Sequence, residues 1–429
     1  MRALWILGLI VLIVGCHGIP ASAADPSSAN QPVTAQQGDW PWWRGPDRNG
    51  VADPDQSPPL RWSETENVRW RVPVLGRGHG SPIVVGDRVF LASADEASMQ
   101  QFLHCFDRST GKQRWKTLVH SGKFPEGSNA LSSFASSTPA CDGTHVFINF
   151  LTDSAIYTTA LDLQGKRAWQ TKVTDYVLHQ GYGSSPAIYQ HLVIVSADNK
   201  GGGAVAGLDR RSGEVVWRRP RPAKPNYVSP IILNVSGRDQ LLLTGCDLVT
   251  SLDPLTGEDF WEIEGATTEC VTSTVTDGKH IFTTGGFPKN HMSAVAADGS
   301  GEVVWENNVR CYVPSMICKD GHLYAVLDAG VVTCRVSESG EEVWKARLGG
   351  TFSSSSVLVG DRIYATNEEG NTFVFKATPD GYEQLAMNKL GESVIATPAI
   401  CRSNIYMRVA HQKQGKRQEY LYCLAGDSP

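Results

Sequence analysis

Twelve side chains that could bind a polar ligand or transfer a proton lie in loops that lead into short apolar strands. They are Arg77, His79, Phe134, His179, Tyr182, Asn226, Tyr227, Glu269, Arg310, Tyr312, Phe352 and Glu392. The set combines arginines, histidines, aromatic rings and two acids, and histidines and carboxylates are the usual groups for proton transfer. We therefore treat these twelve residues as the candidate ligand-binding set.

The same residues lack the patterns of common catalytic and metal centres. A hard cation needs several oxygen ligands that converge on one point, yet the carboxylates of the set, Glu269 and Glu392, are two or more repeats apart. The sequence contains no Gly-x-Ser-x-Gly, His-Glu-x-x-His or P-loop motif. Residues 201–203 (GGG) are interpreted as a loop because no helix follows. Glycoside cleavage by two acids that meet across the site stays open as an alternative.

A sequence repeat predicts the elements that carry these loops. The stretch Cys105–Trp115 (CFDRSTGKQRW) returns at 160–169, 207–217, 251–261, 296–305 and 334–344. In all six copies a glycine stands four residues before a tryptophan: Gly111, Gly165, Gly213, Gly257, Gly301 and Gly340. A polar turn with a glycine that can adopt positive φ predicts a β-hairpin. Six copies with matched flanks predict a repeat architecture.

Two further apolar strands open each unit, as in residues 80–93, so a unit has four short strands. Seven units occupy residues 80–391, although the unit 352–391 has Leu385 where the tryptophan is expected. The stretch 395–424 supplies three strands, and the strand 67–74 supplies a fourth. The sequence therefore predicts an all-β, eight-bladed β-propeller of four-stranded antiparallel blades, closed by its N-terminal strand. Seven blades is the alternative, and in either case the twelve candidate residues form a rim around the axis.

The Asp-x-x-(Ser/Thr)-Gly-x-x-x-Trp hairpin resembles the pyrroloquinoline-quinone (PQQ) repeat, over nearly all of residues 67–424. This propeller family includes the quinoprotein alcohol and glucose dehydrogenases, and also the non-catalytic outer-membrane assembly lipoprotein BamB with its secreted relatives. The resemblance implies that the motif tryptophans are structural residues, each packed on the hairpin of a neighbouring blade: Trp115, Trp169, Trp217, Trp261, Trp305 and Trp344. The segment 39–50 (DWPWWRGPDRNG) also resembles the opening of secreted members, and we expect it to pack across one face or edge.

The resemblance implies two different functions. A dehydrogenase would need PQQ, a calcium ion held by Glu, Asn and Asp, a catalytic Asp base and, in many members, a disulfide between adjacent cysteines. The sequence offers no such set, which argues against PQQ, calcium and catalysis. We predict a non-catalytic binding or scaffold protein of the cell envelope, similar to BamB, whose partner is a protein or another envelope component. A PQQ-dependent oxidoreductase is the alternative.

The N-terminus predicts export. Arg2, the apolar run 3–15 and the Ala-Ser-Ala site ending at residue 23 are typical of a signal peptide over residues 1–23. The alternative is a lipid anchor at Cys16, which would make an outer-membrane lipoprotein. Residues 24–38 are rich in Ser, Ala, Gln and Pro, which predicts a disordered tether before a single domain at 39–429. The expected location is the periplasm or the outside of the cell.

The charge of the chain and the length of its apolar run limit the classes of partner that it could bind. A net charge of −5 with 39 unclustered basic residues indicates no nucleic-acid partner. The apolar run of thirteen residues is too short to span a bilayer. We expect the protein to be a monomer.

Cys105 and Cys334 occupy the same repeat position, where other copies have Gly207 and Ser251. We interpret that position as a slot for a small buried side chain.

Overall fold

The computed structural model describes residue 33, residues 36–129 and residues 131–426. These residues form 32 β-strands, arranged as eight four-stranded antiparallel sheets. This confirms the predicted all-β propeller with eight blades. Across the described ranges we find no helix, and hence no apolar helix long enough to cross a membrane. The predicted signal peptide, the Cys16 lipidation site and most of the predicted tether lie outside the described residues.

The strands follow the chain order blade by blade. Blade 1 contains β2 (Ile83–Val85), β3 (Arg88–Asp95), β4 (Gln100–Asp107) and β5 (Gln113–Ser121); blade 2 contains β6 (Ala140–Cys141), β7 (His145–Thr152), β8 (Ala155–Asp162) and β9 (Arg167–Asp175). Blade 3 contains β10 (Ala187–Tyr189), β11 (Leu192–Ser196), β12 (Ala204–Asp209) and β13 (Val215–Pro220); blade 4 contains β14 (Ile231–Val235), β15 (Arg238–Gly245), β16 (Leu248–Leu252) and β17 (Asp259–Glu264). Blade 5 contains β18 (Val275–Thr276), β19 (His280–Gly285), β20 (His291–Ala296) and β21 (Val303–Asn307); blade 6 contains β22 (Ile317–Lys319), β23 (His322–Val326), β24 (Val331–Val336) and β25 (Glu342–Arg347). Blade 7 contains β26 (Val357–Val359), β27 (Arg362–Thr366), β28 (Asn371–Lys376) and β29 (Gln384–Lys389); blade 8 contains β30 (Ala399–Cys401), β31 (Asn404–Lys413), β32 (Lys416–Ala425) and the N-terminal strand β1 (Val68–Val74).

The chain closes as the sequence predicted. Strand β1 pairs antiparallel with β32, with Val72 opposite Leu421, and forms the outermost strand of blade 8. Blade 7 is complete although it lacks the repeat tryptophan; Ala386, and not Leu385 as the sequence predicted, occupies the equivalent position opposite Val374, because the strand bulges at Leu385. Trp62, which comes from the N-terminal segment, stacks on Tyr364 of this blade with ring centroids 6.5 Å apart.

The repeated glycine is required for two reasons. Gly213 has a φ of 76°, the left-handed region that glycine adopts without strain. A Cβ at this position would also lie 2.6 Å from the ring of Trp169 in the preceding blade. The indole of Trp169 donates to the carbonyl of Arg210 in the same hairpin, at 3.0 Å. The hairpin therefore forms a socket for the tryptophan of the blade before it.

Most of the repeat tryptophans share this arrangement. Indole nitrogens donate to a backbone carbonyl of the next blade at 2.8–3.0 Å in Trp70, Trp115, Trp169, Trp305 and Trp344. Trp217 packs against Gly257 without such a bond. Trp261 differs because its indole donates at 3.0 Å to Gln240 of its own blade.

The small-residue slot lies directly across the strand pair from the tryptophan. Cys105 is paired with Trp115 and Gly207 with Trp217, and every blade except blade 7 repeats the pattern. A Cβ at Gly207 would lie 2.3 Å from the Trp217 indole, so the ring covers this position. Nine cysteines lie within the described residues, and none of them forms a disulfide.

Candidate functional site

The twelve candidate residues share one end of the propeller. In an antiparallel four-stranded blade, the loop between the second and third strands and the loop that enters the next blade lie at the same end; we call it the loop face. The two remaining turns lie at the other end, the hairpin face. A cavity of about 530 Å³ opens among the loop-face residues, and its lining includes residues of all eight blades. The cavity therefore lies on the propeller axis.

A ring of hydroxyl side chains, one from each blade, surrounds the axis. Its members are Ser81, Thr138, Ser185, Ser229, Ser273, Ser315, Ser355 and Thr397. In six of the eight steps, a ring hydroxyl accepts a hydrogen bond at 2.9–3.0 Å from the backbone N–H of the ring residue in the preceding blade. At the fifth position, Ser273 Oγ accepts instead from the indole of Trp43 at 2.8 Å. The hydroxyl of Ser81 is buried without a hydrogen-bond partner.

The segment 39–58 closes the hairpin-face end of the axis. Trp40 and Val84 of blade 1 exchange two backbone hydrogen bonds, at 2.8 and 2.9 Å. The carboxylate of Asp39 accepts from the Gly86 N–H at 3.2 Å and pairs with Arg402 of blade 8 at 3.2 Å. This is the face-spanning position that the sequence predicted for the tryptophan-rich segment.

Arg44 anchors the same segment on the far side of the ring. Its guanidinium is fully buried and donates to the carbonyl of Met316 in blade 6 at 2.5 Å and to that of Ser356 in blade 7 at 3.3 Å. Burial lowers the pKa of Arg44 to about 9. With this anchor in place, Trp43 lines the axial cavity from the closed end. The cavity is thus a blind pit with an indole at its floor.

Polar side chains from four consecutive blades cluster at one side of the cavity mouth. The carboxylate of Glu269 is 2% exposed, which is unusual for an acid. One oxygen accepts from the Tyr312 hydroxyl at 3.1 Å, and the other lies 3.2 Å from His179 Nδ1. His179 Nδ1 also lies 3.0 Å from the hydroxyl of Tyr227. Burial, and then the nearby Glu269 charge, raise the pKa of both tyrosines well above the usual value. The two phenols are therefore hydrogen-bond donors at neutral pH.

The opposite side of the mouth is rich in arginine. Arg77 and Arg417 line the cavity, and the fully buried Arg408 lies behind them. Glu419 bonds to Arg408 at 2.5 Å and to Arg417 at 3.0 Å. Burial, followed by the charges of these three arginines, lowers the pKa of His79 to about 3, so His79 is neutral.

Two candidate residues are buried in the wall of the propeller and do not reach the cavity, which corrects the prediction. Asn226 is 3% exposed because its amide donates to Asp198 at 2.9 Å and accepts from the Cys270 N–H at 2.9 Å, where it bridges two blades. Phe352 is 1% exposed and packs on Phe373 in the core. Both residues belong to the wall of the propeller.

The four remaining candidates occupy different places. Tyr182 lines the cavity and donates to the Ser196 carbonyl at 3.0 Å. Phe134 stacks on Phe124 with centroids 4.2 Å apart. Arg310 donates to the carbonyl of Gly286 at 2.9 Å and lies over the Tyr312 ring. Glu392 is exposed and accepts from the Gln412 N–H at 3.1 Å.

Sequence reasoning missed the hydroxyl ring, the floor and part of the arginine side. The signal for the ring was present in the small residues that open each unit, as in GSP at 80–82 and TP at 397–398. Nothing in the sequence placed Trp43 on the axis. Arg408 and Arg417 were missed because they lie on β31 and β32 instead of in a loop that enters a blade.

The donor groups of the cavity do not fit a calcium–quinone centre. Within the described residues, no three His, Cys, Asp or Glu side chains lie close enough to share a metal ion. Both oxygens of Glu269 are engaged, and Glu368, which lines the cavity, accepts with one oxygen from the Ser353 hydroxyl at 2.5 Å. A hard cation needs several convergent oxygens, and these two carboxylates are committed to separate hydrogen bonds.

Fold and site together define an eight-bladed propeller of the PQQ-repeat type with a plugged axis. The chain belongs to the family described as outer membrane protein assembly factor BamB, whose model matches residues 60–176, 100–345 and 288–384. No curated protein matches the chain significantly.

Solved structures with the same fold include both functional groups. BamB from Moraxella catarrhalis has a TM-score of 0.60 at 13% identity, covering 83% of this chain and 99% of that chain. A europium-containing methanol dehydrogenase has a TM-score of 0.66 at 12% identity, covering 92% of this chain and 99% of that chain. A quinohemoprotein alcohol dehydrogenase from Pseudomonas putida has a TM-score of 0.63 at 12% identity, covering 95% and 83%. At such identities the likeness shows the fold alone.

Proposed function

We propose that this chain is an exported, non-catalytic scaffold of the cell envelope that binds a protein partner through its loop face. The family match supports this proposal because the family is described as an outer-membrane protein assembly factor. The contacts of Glu269 support it as well, because both of its oxygens are engaged by Tyr312 and His179, whereas a dehydrogenase needs a carboxylate free to act as a base.

The observation that carries the proposal is the distribution of exposed apolar side chains. Five lie in loop-face segments: Leu75, Met99, Leu131, Val177 and Phe287. Leu131 is 75% exposed and Phe287 is 53% exposed. The other exposed large apolar side chains in the described part of the chain lie on the outermost strands. Of the two ends of the propeller, the loop face is therefore the one that presents exposed large apolar side chains, which are a feature of protein-binding surfaces.

The hairpin face has the opposite character. In blade 1 the Asp107 carboxylate accepts from the N–H groups of Ser109 and Thr110, both at 3.0 Å, and so satisfies its own turn. Such polar, internally bonded turns offer a partner little apolar area and few unpaired groups. A docking surface is therefore expected on the loop face.

Site-specific photo-crosslinking in the native envelope tests the proposal. A photoreactive amino acid replaces Leu131 or Phe287 on the loop face, and Lys112 or Glu258 on the hairpin face as matched exposed controls. We expect the two loop-face positions to give adducts with the same envelope protein, and the hairpin-face positions to give none. Equal adducts from both faces, or none from the loop face of the folded protein, would contradict the proposal.

A further inference from the structure

The axial pit carries groups that docking on the loop face does not use. Its lining combines ring hydroxyls such as Ser185 and Ser229, the phenols of Tyr227 and Tyr312, and the indole of Trp43 at the floor. Its volume of about 530 Å³ lies in the range of small-molecule sites. Many hydroxyl groups around one aromatic floor suit a ligand that itself has many hydroxyls and an apolar ring face, which describes a sugar.

Two buried polar atoms of blade 1 point to a ligand that completes their hydrogen bonds. Ser81 is 3% exposed and lines the pit, yet its hydroxyl has no partner, unlike the six ring hydroxyls that accept from a neighbouring N–H. His79 also lines the pit, and its Nε2 atom is buried without a partner. Buried polar groups are normally paired, and both of these atoms belong to the same part of the wall.

The charge of that wall indicates that the ligand carries a negative charge. Arg77, Arg408 and Arg417 meet there, whereas the carboxylates paired with them are Glu419 and the half-exposed Glu96, which lies 3.9 Å from Arg77. Three cations against two acids leave a net positive wall, and the neutral His79 adds no charge. Arginine beside a buried polar wall favours a carboxylate or sulfate group.

We infer that the axial pit binds an acidic saccharide. The sugar ring packs on the indole of Trp43, its hydroxyl groups complete the bonds of Ser81 and His79, and its carboxylate or sulfate pairs with Arg77 and Arg417. Glu368 on the other wall can accept a sugar hydroxyl. This inference does not depend on the proposed scaffold role, because it uses the ring hydroxyls, His79, the arginines and Trp43, and of the five exposed apolar side chains at the loop face only Leu131 lines the pit.

Isothermal titration calorimetry on the mature protein tests the ligand class with matched pairs. Digalacturonate is compared with its dimethyl ester, and lactose 3′-sulfate with lactose, so the two pairs separate a carboxylate from a sulfate ligand. We expect one-site saturable binding of at least one acid, with its neutral counterpart at least tenfold weaker. Absence of saturable binding of both acids at millimolar concentration, or equal affinity of acid and neutral forms, would overturn the inference.

Variants then test the location. Ser81→Ala removes a hydroxyl with no partner, so the fold should be unaffected while the affinity for the acid falls at least fivefold. Arg77→Gln should lower the affinity at least tenfold, and Arg347→Gln, an exposed arginine on the outer strand β25, should leave it unchanged. Wild-type affinity in both Ser81→Ala and Arg77→Gln would overturn the placement in the pit.

Discussion

Replacing Ser185 by alanine tests whether the hydroxyl ring holds the blades together. The Ser185 hydroxyl accepts from the backbone N–H of Thr138 at 2.9 Å, and both residues are buried. The substitution leaves that N–H without an acceptor, and an unsatisfied buried donor costs about 1–3 kcal/mol. Ser81→Ala is the matched control, because the Ser81 hydroxyl has no partner to lose.

The size of the propeller sets the expected change in melting temperature. Unfolding entropy is about 2.1 cal/mol/K per residue, so a domain of about 390 residues gives about 0.8 kcal/mol/K. The Ser185→Ala variant should therefore melt about 1–4 °C below the wild type in differential scanning calorimetry, and Ser81→Ala at the wild-type temperature or slightly above. An unchanged melting temperature in Ser185→Ala, or an equal decrease in both variants, would refute the reasoning.

Two further predictions concern closure and pH. Trp70→Ala removes a side chain that is 8% exposed and whose indole in blade 8 donates to the Arg108 carbonyl of blade 1 at 3.0 Å. The substitution should lower the free energy of unfolding by about 3–5 kcal/mol. An unchanged melting temperature would contradict this prediction. Burial lowers the pKa of His79 and of His104 to about 3, so the folded protein binds fewer protons than the unfolded chain between that value and the ordinary histidine pKa. The contribution of these two histidines to stability is therefore present above about pH 6.5 and is lost as the pH falls towards 3. Melting temperatures measured from pH 7 down to pH 4 should decrease, and the decrease should be less steep in His104→Gln. A melting temperature that does not change with pH would contradict the assignment of these histidines as neutral in the folded protein.

The fold was accessible from the sequence because the repeat is local. Glycine four residues before tryptophan encodes both the turn and the socket, and both act within one hairpin or between adjacent ones. Counting the hairpins then led to eight blades, even though blade 7 has no tryptophan in its hairpin. The orphan strand 67–74 could be assigned because blade 8 lacked one strand.

The site was only partly accessible, since it depends on loops from different blades. Glu269 and Tyr312 were recognised as candidates, but no spacing rule indicates that the two side chains meet. Asn226 illustrates the reverse case: a polar residue in the expected loop turned inward, because a buried N–H and a buried aspartate needed partners. The role of Trp43 depends on how the segment 39–58 crosses the hairpin face, and nothing in a local pattern encodes that path.

Titration with PQQ tests the central claim, that this propeller binds without quinone catalysis. The purified mature protein is mixed with PQQ and either calcium or a lanthanide, and both the quinone absorbance and the melting temperature are followed. A ligand that binds only the native state must raise the melting temperature by mass action. We predict no saturable change in either signal. A saturable rise in melting temperature, accompanied by quinone-dependent oxidation of an alcohol or sugar, would contradict the account.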